Sequence, residues 1–198
     1  FIDITPANNN LVYMVASNPN DTYQGIYKSL DSGTTFTQME NTTDIFEGDQ
    51  SWYDLAIGVS NTNENEIYVG CLNVWKSSDG GDSFSQLNQW YSRTDSYTHA
   101  DIHFIRAFNN GIFVGSDGGI FESIDAGNTF TDLSPGLGIS QFYRISVSKQ
   151  DSNKIAGGLQ DNGGYALNNE EWLNYYGADG MDCVVNPTNS NNYFHFVF

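Results

Sequence analysis

The sequence predicts an all-β fold built from repeated four-stranded antiparallel units, and three observations carry that prediction. An octet recurs three times: Ser29-Leu30-Asp31-Ser32-Gly33-Thr34-Thr35-Phe36, Ser77-Ser78-Asp79-Gly80-Gly81-Asp82-Ser83-Phe84 and Ser123-Ile124-Asp125-Ala126-Gly127-Asn128-Thr129-Phe130. The leading serines stand 48 and then 46 residues apart, a period of supersecondary size. Short strand-like runs separated by Asn-, Asp- and Gly-rich turns fill the intervals, as in sheets of short strands. The chain is also rich in aromatic residues and poor in Leu and Lys, a balance that favours strands over helices.

The elements follow in order. In the second repeat Leu55 to Val59 is small or apolar throughout, as befits an inner strand pressed between two neighbouring sheets. An Asn-rich turn at Asn61 to Asn65 leads to Ile67 to Gly70, then Val74 to Ser77, and the outer strand starts at Phe84. The third repeat copies this with Ile102 to Phe108, the turn Asn109-Asn110-Gly111, Ile112 to Gly115, Ile120 to Ser123, and an outer strand from Phe130. The first has Leu11 to Ala16 and Gly25 to Lys28, with only Phe1 to Ile4 as a stub for its inner strand. The fourth keeps Tyr143 to Val147, Ile155 to Gly158 and Tyr165 to Leu167, while its octet has decayed to Asn168-Asn169-Glu170-Glu171-Trp172.

Antiparallel four-stranded units at this period predict a β-propeller. The expected organisation is blade one over 1–46, blade two over 47–91, blade three over 97–135, blade four over 139–177 and the start of a fifth over 178–198. The chain opens directly on a strand-like run, and four units and a fraction leave a ring unclosed, so a piece of a larger propeller is expected. The remainder of that propeller is then its first partner.

The octets resemble the Asp-box, or BNR, repeats of the sialidase-like superfamily. Within it, Tyr97-Thr98-His99-Ala100-Asp101-Ile102-His103, Gly115-Ser116-Asp117-Gly118-Gly119-Ile120, Gln141-Phe142-Tyr143-Arg144, Gly158-Leu159-Gln160-Asp161-Asn162-Gly163-Gly164 and Gly177-Ala178-Asp179-Gly180 resemble the branch of large secreted bacterial proteins related to sortilin and to xyloglucan-cleaving hydrolases. The resemblance implies a secreted or cell-surface protein, with the octets on the face away from any active site. The superfamily mixes enzymes with binding proteins, so it implies no activity.

Turn chemistry accounts for the octets. Asp31, Asp79 and Asp125 can accept N–H bonds from the turns that follow, Gly33, Gly81 and Gly127 permit positive φ, and Phe36, Phe84 and Phe130 can be buried between blades. With the third-to-fourth strand turns at the bottom, strand alternation puts the second-to-third turns and the links between blades at the top. Trp52 and Tyr53 come from one link, and Trp90, Tyr91, Tyr97, His99, Asp101 and His103 from the next. Asp117 and Asp161 stand in Gly-flanked turns, joined by Gln141, Tyr143, Arg144 and Asp179.

Flat aromatics beside carboxylates and amides suit sugar rings, which present apolar C–H faces together with hydroxyls; the same rings could plug gaps between blades. His99, Asp101 and His103, spaced by two, would share one face of a strand, either as a metal or acid/base cluster or as a hydrogen-bonded network; the network is expected, with no metal and no cofactor. Asp117 and Asp161 are the candidate catalytic pair of a glycoside hydrolase, or simple turn residues before glycine. A sialidase would need an arginine cluster, and Arg93, Arg106 and Arg144 are the only arginines.

A net charge of −17 with seven Lys plus Arg argues against nucleic-acid partners. No apolar run reaches the roughly 18 residues of a membrane span. Cys71 and Cys183 are expected as free, buried thiols. The expected function is therefore a non-catalytic propeller segment that binds a glycan or a protein through its top face. The alternatives are part of a xyloglucanase-like hydrolase using top-face aspartates and a scaffold segment of a large surface assembly.

Overall fold

The computed structural model describes residues 1–109 and 111–197; Asn110, the centre of one expected turn, and Phe198 lie outside the described residues. These residues form strands and irregular turns with no helix among them, in two compact units, Phe1–Pro135 and Gly136–Phe198. Each unit is a run of propeller blades.

The first unit holds three four-stranded antiparallel sheets. Blade one is β1 (Ile2–Thr5), β2 (Asn8–Ser17), β3 (Tyr23–Ser29) and β4 (Thr37–Gln38). Blade two is β5 (Ala56–Val59), β6 (Ile67–Gly70), β7 (Val74–Ser77) and β8 (Ser85–Gln86), and blade three is β9 (Ile102–Phe108), β10 (Gly111–Ser116), β11 (Gly119–Ser123) and β12 (Thr131–Asp132). The expected stub in blade one is a full strand, since Ile2 to Ile4 pair with Met14 to Val12 of β2.

Side-chain alternation along β5 builds both joints of this unit. Ile57 and Val59 join Leu11, Tyr13, Val15 and Ile26 in the core shared with blade one. Ala56 faces the other way, into the core shared with Ile102, Ile105, Ile112 and Val114 of blade three. That second joint is close. A Cβ on Gly70 would lie 2.4 Å from Ile102 Cγ2, and one on Gly58 2.7 Å from Ile105 Cγ2, so glycine there admits the neighbouring sheet.

The octet turns are three copies of one device. The Ser29, Ser77 and Ser123 hydroxyls donate to Asp31, Asp79 and Asp125 Oδ1 and accept from the Gly33, Gly81 and Gly127 N–H at 2.8–2.9 Å. Each Asp then receives the N–H and hydroxyl of Thr35, Ser83 or Thr129. The turn glycines all have positive φ, at 86°, 102° and 90°. Two of them also press on the preceding blade, Gly81 toward Ile26 and Met39 and Gly127 toward Leu87.

Phe84 and Phe130 pack on the cores shared with the preceding blades. Phe36 departs from expectation. It is 37 % exposed, because no sheet precedes blade one among the described residues.

The second unit pairs β13 (Phe142–Val147), β14 (Ile155–Leu159), β15 (Gly163–Asn168) and β16 (Glu171–Tyr176) in one sheet, and β17 (Gly180–Val185) with β18 (Tyr193–Val197) in another. Where the octet has decayed, Asn169 and Glu170 close β15 to β16 with φ of 51° and 72°, the two positive values of a type I′ hairpin. The outer strand then runs six residues instead of the two of β4, β8 and β12. Cys71 and Cys183 are free and buried.

These turns carry a pH signature. The Asp31 carboxyl is held at about 2 chiefly by the Thr35 hydroxyl, and Asp125 at about 2 chiefly by the Thr129 N–H. At Asp79 burial pushes upward, but the Ser83 hydroxyl and N–H outweigh it and the carboxyl again sits at about 2. Folded values below the ordinary 3.8 mean stabilisation that is complete above about pH 4 and is lost as pH falls toward about 2. Acid titration of the unfolding midpoint should show that loss, and Asp125→Asn should reduce it. Gly127→Ala, which combines positive φ with a Cβ 2.4 Å from Leu87 Cδ1, should cost about 1–3 kcal/mol in urea unfolding. Gly48→Ala, with nothing within 4 Å of the new Cβ, should stay within about 0.5 kcal/mol of wild type.

Candidate functional site

At the end of the first unit opposite the octet turns, the link from blade one to blade two makes a tight turn. The Tyr53 and Asp54 N–H groups both donate to Gln50 O, at 2.8 and 3.2 Å, and the Ser51 hydroxyl fastens the turn to Asp21 O. The turn throws Trp52 outward, 73 % exposed, with Tyr53 beside it at 42 %; their ring centroids are 5.6 Å apart.

Tyr53 is held from both ends. Its hydroxyl donates to Asp117 Oδ2 at 2.7 Å, and its ring stands edge-on to His103, centroids 5.0 Å apart. His103 Nε2 lies 2.7 Å from Asp117 Oδ1, an ion pair whenever the imidazole is protonated. One carboxylate from the β10–β11 turn thus positions a phenol and an imidazole.

Asp101 and Asp117 approach with carboxylate oxygens within 4.8 Å of each other. The spacing of two does not put His99, Asp101 and His103 on one strand face, because β9 starts only at Ile102 and Asp101 has φ 61°. His99 instead lies under Gly118, where a Cβ would fall 2.3 Å from its own Cβ, and its Nδ1 is 3.2 Å from Ala100 O.

Beneath the surface, Gln50 Nε2 donates both to Asp54 Oδ2 at 3.0 Å and to Asp101 Oδ1 at 2.7 Å. Asp54 is fully buried, and the Cys71 thiol, 3.4 Å away, is its second donor. Burial pushes the Asp54 carboxyl up to about 6, with the Asp101 charge adding to the rise and the bonds from Gln50 and Cys71 opposing it. Burial and then the Asp54 charge push the Cys71 thiol upward, which removes it as a nucleophile. Sequence reasoning passes over Gln50, expects Cys71 only as a free, buried thiol, which it is, and places Asp54 in the top-face link without seeing its burial. A spacing of four between Gln50 and Asp54, around an aromatic pair, was the available signal.

A second aromatic pair, Trp90 and Tyr91, stands at the same end with centroids 5.6 Å apart. The Trp90 N–H donates to Asn73 Oδ1. Asn73, Trp75 and Gln86 in turn all donate to the Glu47 carboxylate. Tyr97 does not belong to this surface. Its ring packs edge-on to Phe121 in the core between blades two and three, with the Arg93 guanidinium 4.8 Å above it, so it fills the joint that its apolar body fits.

In the second unit, the Tyr143 hydroxyl donates to Gln160 Oε1 at 2.5 Å, and Arg144 Nη1 donates to Tyr143 O. Asp161, at φ 59°, donates its N–H to Asp179 Oδ1 at 2.9 Å, and Gln141 is exposed. Asp117 belongs to the first unit and Asp161 to the second. In the first unit the structure brings together Tyr53, His103, Asp117 and, through Gln50, Asp101; in the second it joins Asp161 to Asp179.

A double-mutant cycle of Tyr53→Phe and Asp117→Asn, read by urea unfolding, should return a coupling of about 0.5–1.5 kcal/mol. A coupling near zero would mean that the phenol is not held by this carboxylate.

No family model matches the chain, and no curated protein does. Solved structures do. The chain is similar to a GH74 enzyme from Niastella koreensis at 22 % identity and TM-score 0.54, over 98 % of this chain and 33 % of that one. It is similar to the GH74 xyloglucanase from Xanthomonas campestris at 13 % identity and TM-score 0.51, over 94 % and 33 %. A structure described as YCF48 bound to D1 peptide aligns at 15 % identity and TM-score 0.46, over 95 % and 63 %. The chain spans about a third of the length of the two GH74 structures. At such identities the likeness is one of fold: the chain is a partial β-propeller, related in architecture to the propellers of glycosyl hydrolases.

Proposed function

We propose that this chain is part of a secreted or cell-surface propeller of the Asp-box type, and that its face opposite the octets binds a glycan without cleaving it. The observation that carries the reading is the presentation of Trp52 and Tyr53. Two rings stand in solvent, one fixed by its hydroxyl to Asp117, and a rigid aromatic platform beside carboxylates and an imidazole can stack on a sugar ring while its polar neighbours take the hydroxyls. Exposed Trp90 and Tyr91 extend the aromatic surface at the same end.

The chemistry of the carboxylates favours holding over hydrolysis. Both oxygens of Asp117 already serve Tyr53 and His103. Within its unit the carboxylate beside it is Asp101, which already accepts from Gln50 Nε2. The fold shared with GH74 structures keeps a second reading, in which this segment supplies one top-face aspartate to a hydrolase.

A binding screen against plant and microbial polysaccharides, with product analysis for new reducing ends, tests both readings. Saturable binding without turnover is expected, and Trp52→Ala should weaken it about tenfold or more, the loss of one stacking ring. Binding that survives Trp52→Ala and Tyr53→Ala together would overturn the proposed platform. Turnover abolished by Asp117→Asn would establish the hydrolase reading instead.

A further inference from the structure

Loss of the octet changes what the outer edge of a blade can do. In blades one to three the octet turn leads into an outer strand of two residues, β4, β8 and β12, too short to template another chain. In the second unit the loop Asn169–Glu170 joins β15 directly to β16, and the outer strand runs Glu171–Tyr176. Among the described residues β16 pairs with β15 alone and ends its sheet. Its first four residues are all exposed, Trp172 at 43 % and Leu173 at 46 %, and neither Pro nor Lys guards them.

The two-residue loop also sets which backbone groups are free. It makes Asn168 and Glu171 a hydrogen-bonded pair, so bonding alternates along the ladder: Leu167 with Trp172 non-bonded, Ala166 with Leu173 bonded, Tyr165 with Asn174 non-bonded. The N–H and C=O groups of Trp172 and Asn174 therefore point away from the sheet. A bulge at Tyr175, where the register shifts, ends this regular edge.

We propose that β16 is a self-association edge, pairing antiparallel with β16 of a second copy about a two-fold axis at Leu173, so that two chains share one continuous sheet.

Self-complementarity argues for this occupant. With the axis at Leu173, Trp172 of each copy meets Asn174 of the other, and the two residues exchange both N–H···O bonds. The two Leu173 residues become a non-bonded pair, the class in which side chains stand closest, at about 4.5 Å between Cα atoms, and their exposed apolar surface is covered. An isologous contact of this kind closes after two copies.

Charge is the opposing term, since each copy carries −17. The charged residue of the edge is Glu171, and in this register the two copies of it lie about 14 Å apart along the strands. That exceeds the Debye length of about 8 Å at physiological ionic strength. Pairing is tolerated there and weakens in dilute salt, where the Debye length reaches about 30 Å.

Sedimentation velocity of the full chain across the micromolar range tests the proposal. A monomer–dimer equilibrium is expected at physiological salt, shifted toward monomer in about 10 mM salt. Asn174→Pro removes an outward N–H, costs β15 no ladder bond, and should weaken dimerisation about tenfold or more. Leu173→Lys and Leu173→Glu should each be monomeric, because like charges then face each other at the axis. An equimolar mixture of the two should dimerise again, a rescue that also shows both variants to be folded. Association that persists in Leu173→Lys would place the contact elsewhere and overturn the proposal. So would a wild-type chain that stays monomeric throughout, or a mixture that does not re-associate.

Discussion

The bond on which the first unit depends is the one between a serine hydroxyl and an aspartate two residues on. In each octet that hydroxyl both orders the carboxylate and caps the N–H of a glycine in the left-handed region, so a short stretch closes without help from outside. The closure has a geometric consequence. By fixing the third-to-fourth strand turns at one end of each blade, it obliges the inter-blade links to return at the other, where length and composition are free to vary. The residues of the proposed ligand face in this unit come from those links, from the second-to-third turns and, in His103, from the start of β9.

Much of the fold is legible in the sequence because it is periodic. The octets give the register, and the small or apolar run of β5 marks a strand covered on both faces. Periodicity fails where context decides. Nothing local separates Phe36 from Phe84 and Phe130; what differs is the presence of a preceding sheet. Tyr97 has the same credentials as Tyr91 and lands in a joint. The spacing of His99, Asp101 and His103 suggests a strand face, but the left-handed backbone at Asp101 breaks the alternation.

The candidate site is legible in part. Tyr53, His103, Asp101 and Asp117 are identifiable as top-face residues from the direction of the strands, yet their mutual distances are not. The Gln50–Asp54–Cys71 group is the least visible. A buried acid in an acidic chain looks like any surface acid until its burial is known, and a cysteine among apolar neighbours looks like core. Both are core residues, and both also support the exposed turn above them.

The glycines of the octet turns have a further consequence for how the blades depend on one another. Gly81 rests on Ile26 and Met39 of blade one, and Gly127 on Leu87 of blade two, so each turn closes its own sheet and also seals the joint to the sheet before it. Coupling between blades is thus nearest-neighbour and directional: a lesion in one octet loosens the joint toward the N-terminal side first, and the blade that follows keeps its own seal. In the second unit the fourth octet has diverged into a plain hairpin, closed by the positive-φ pair Asn169 and Glu170 and carrying a six-residue outer strand.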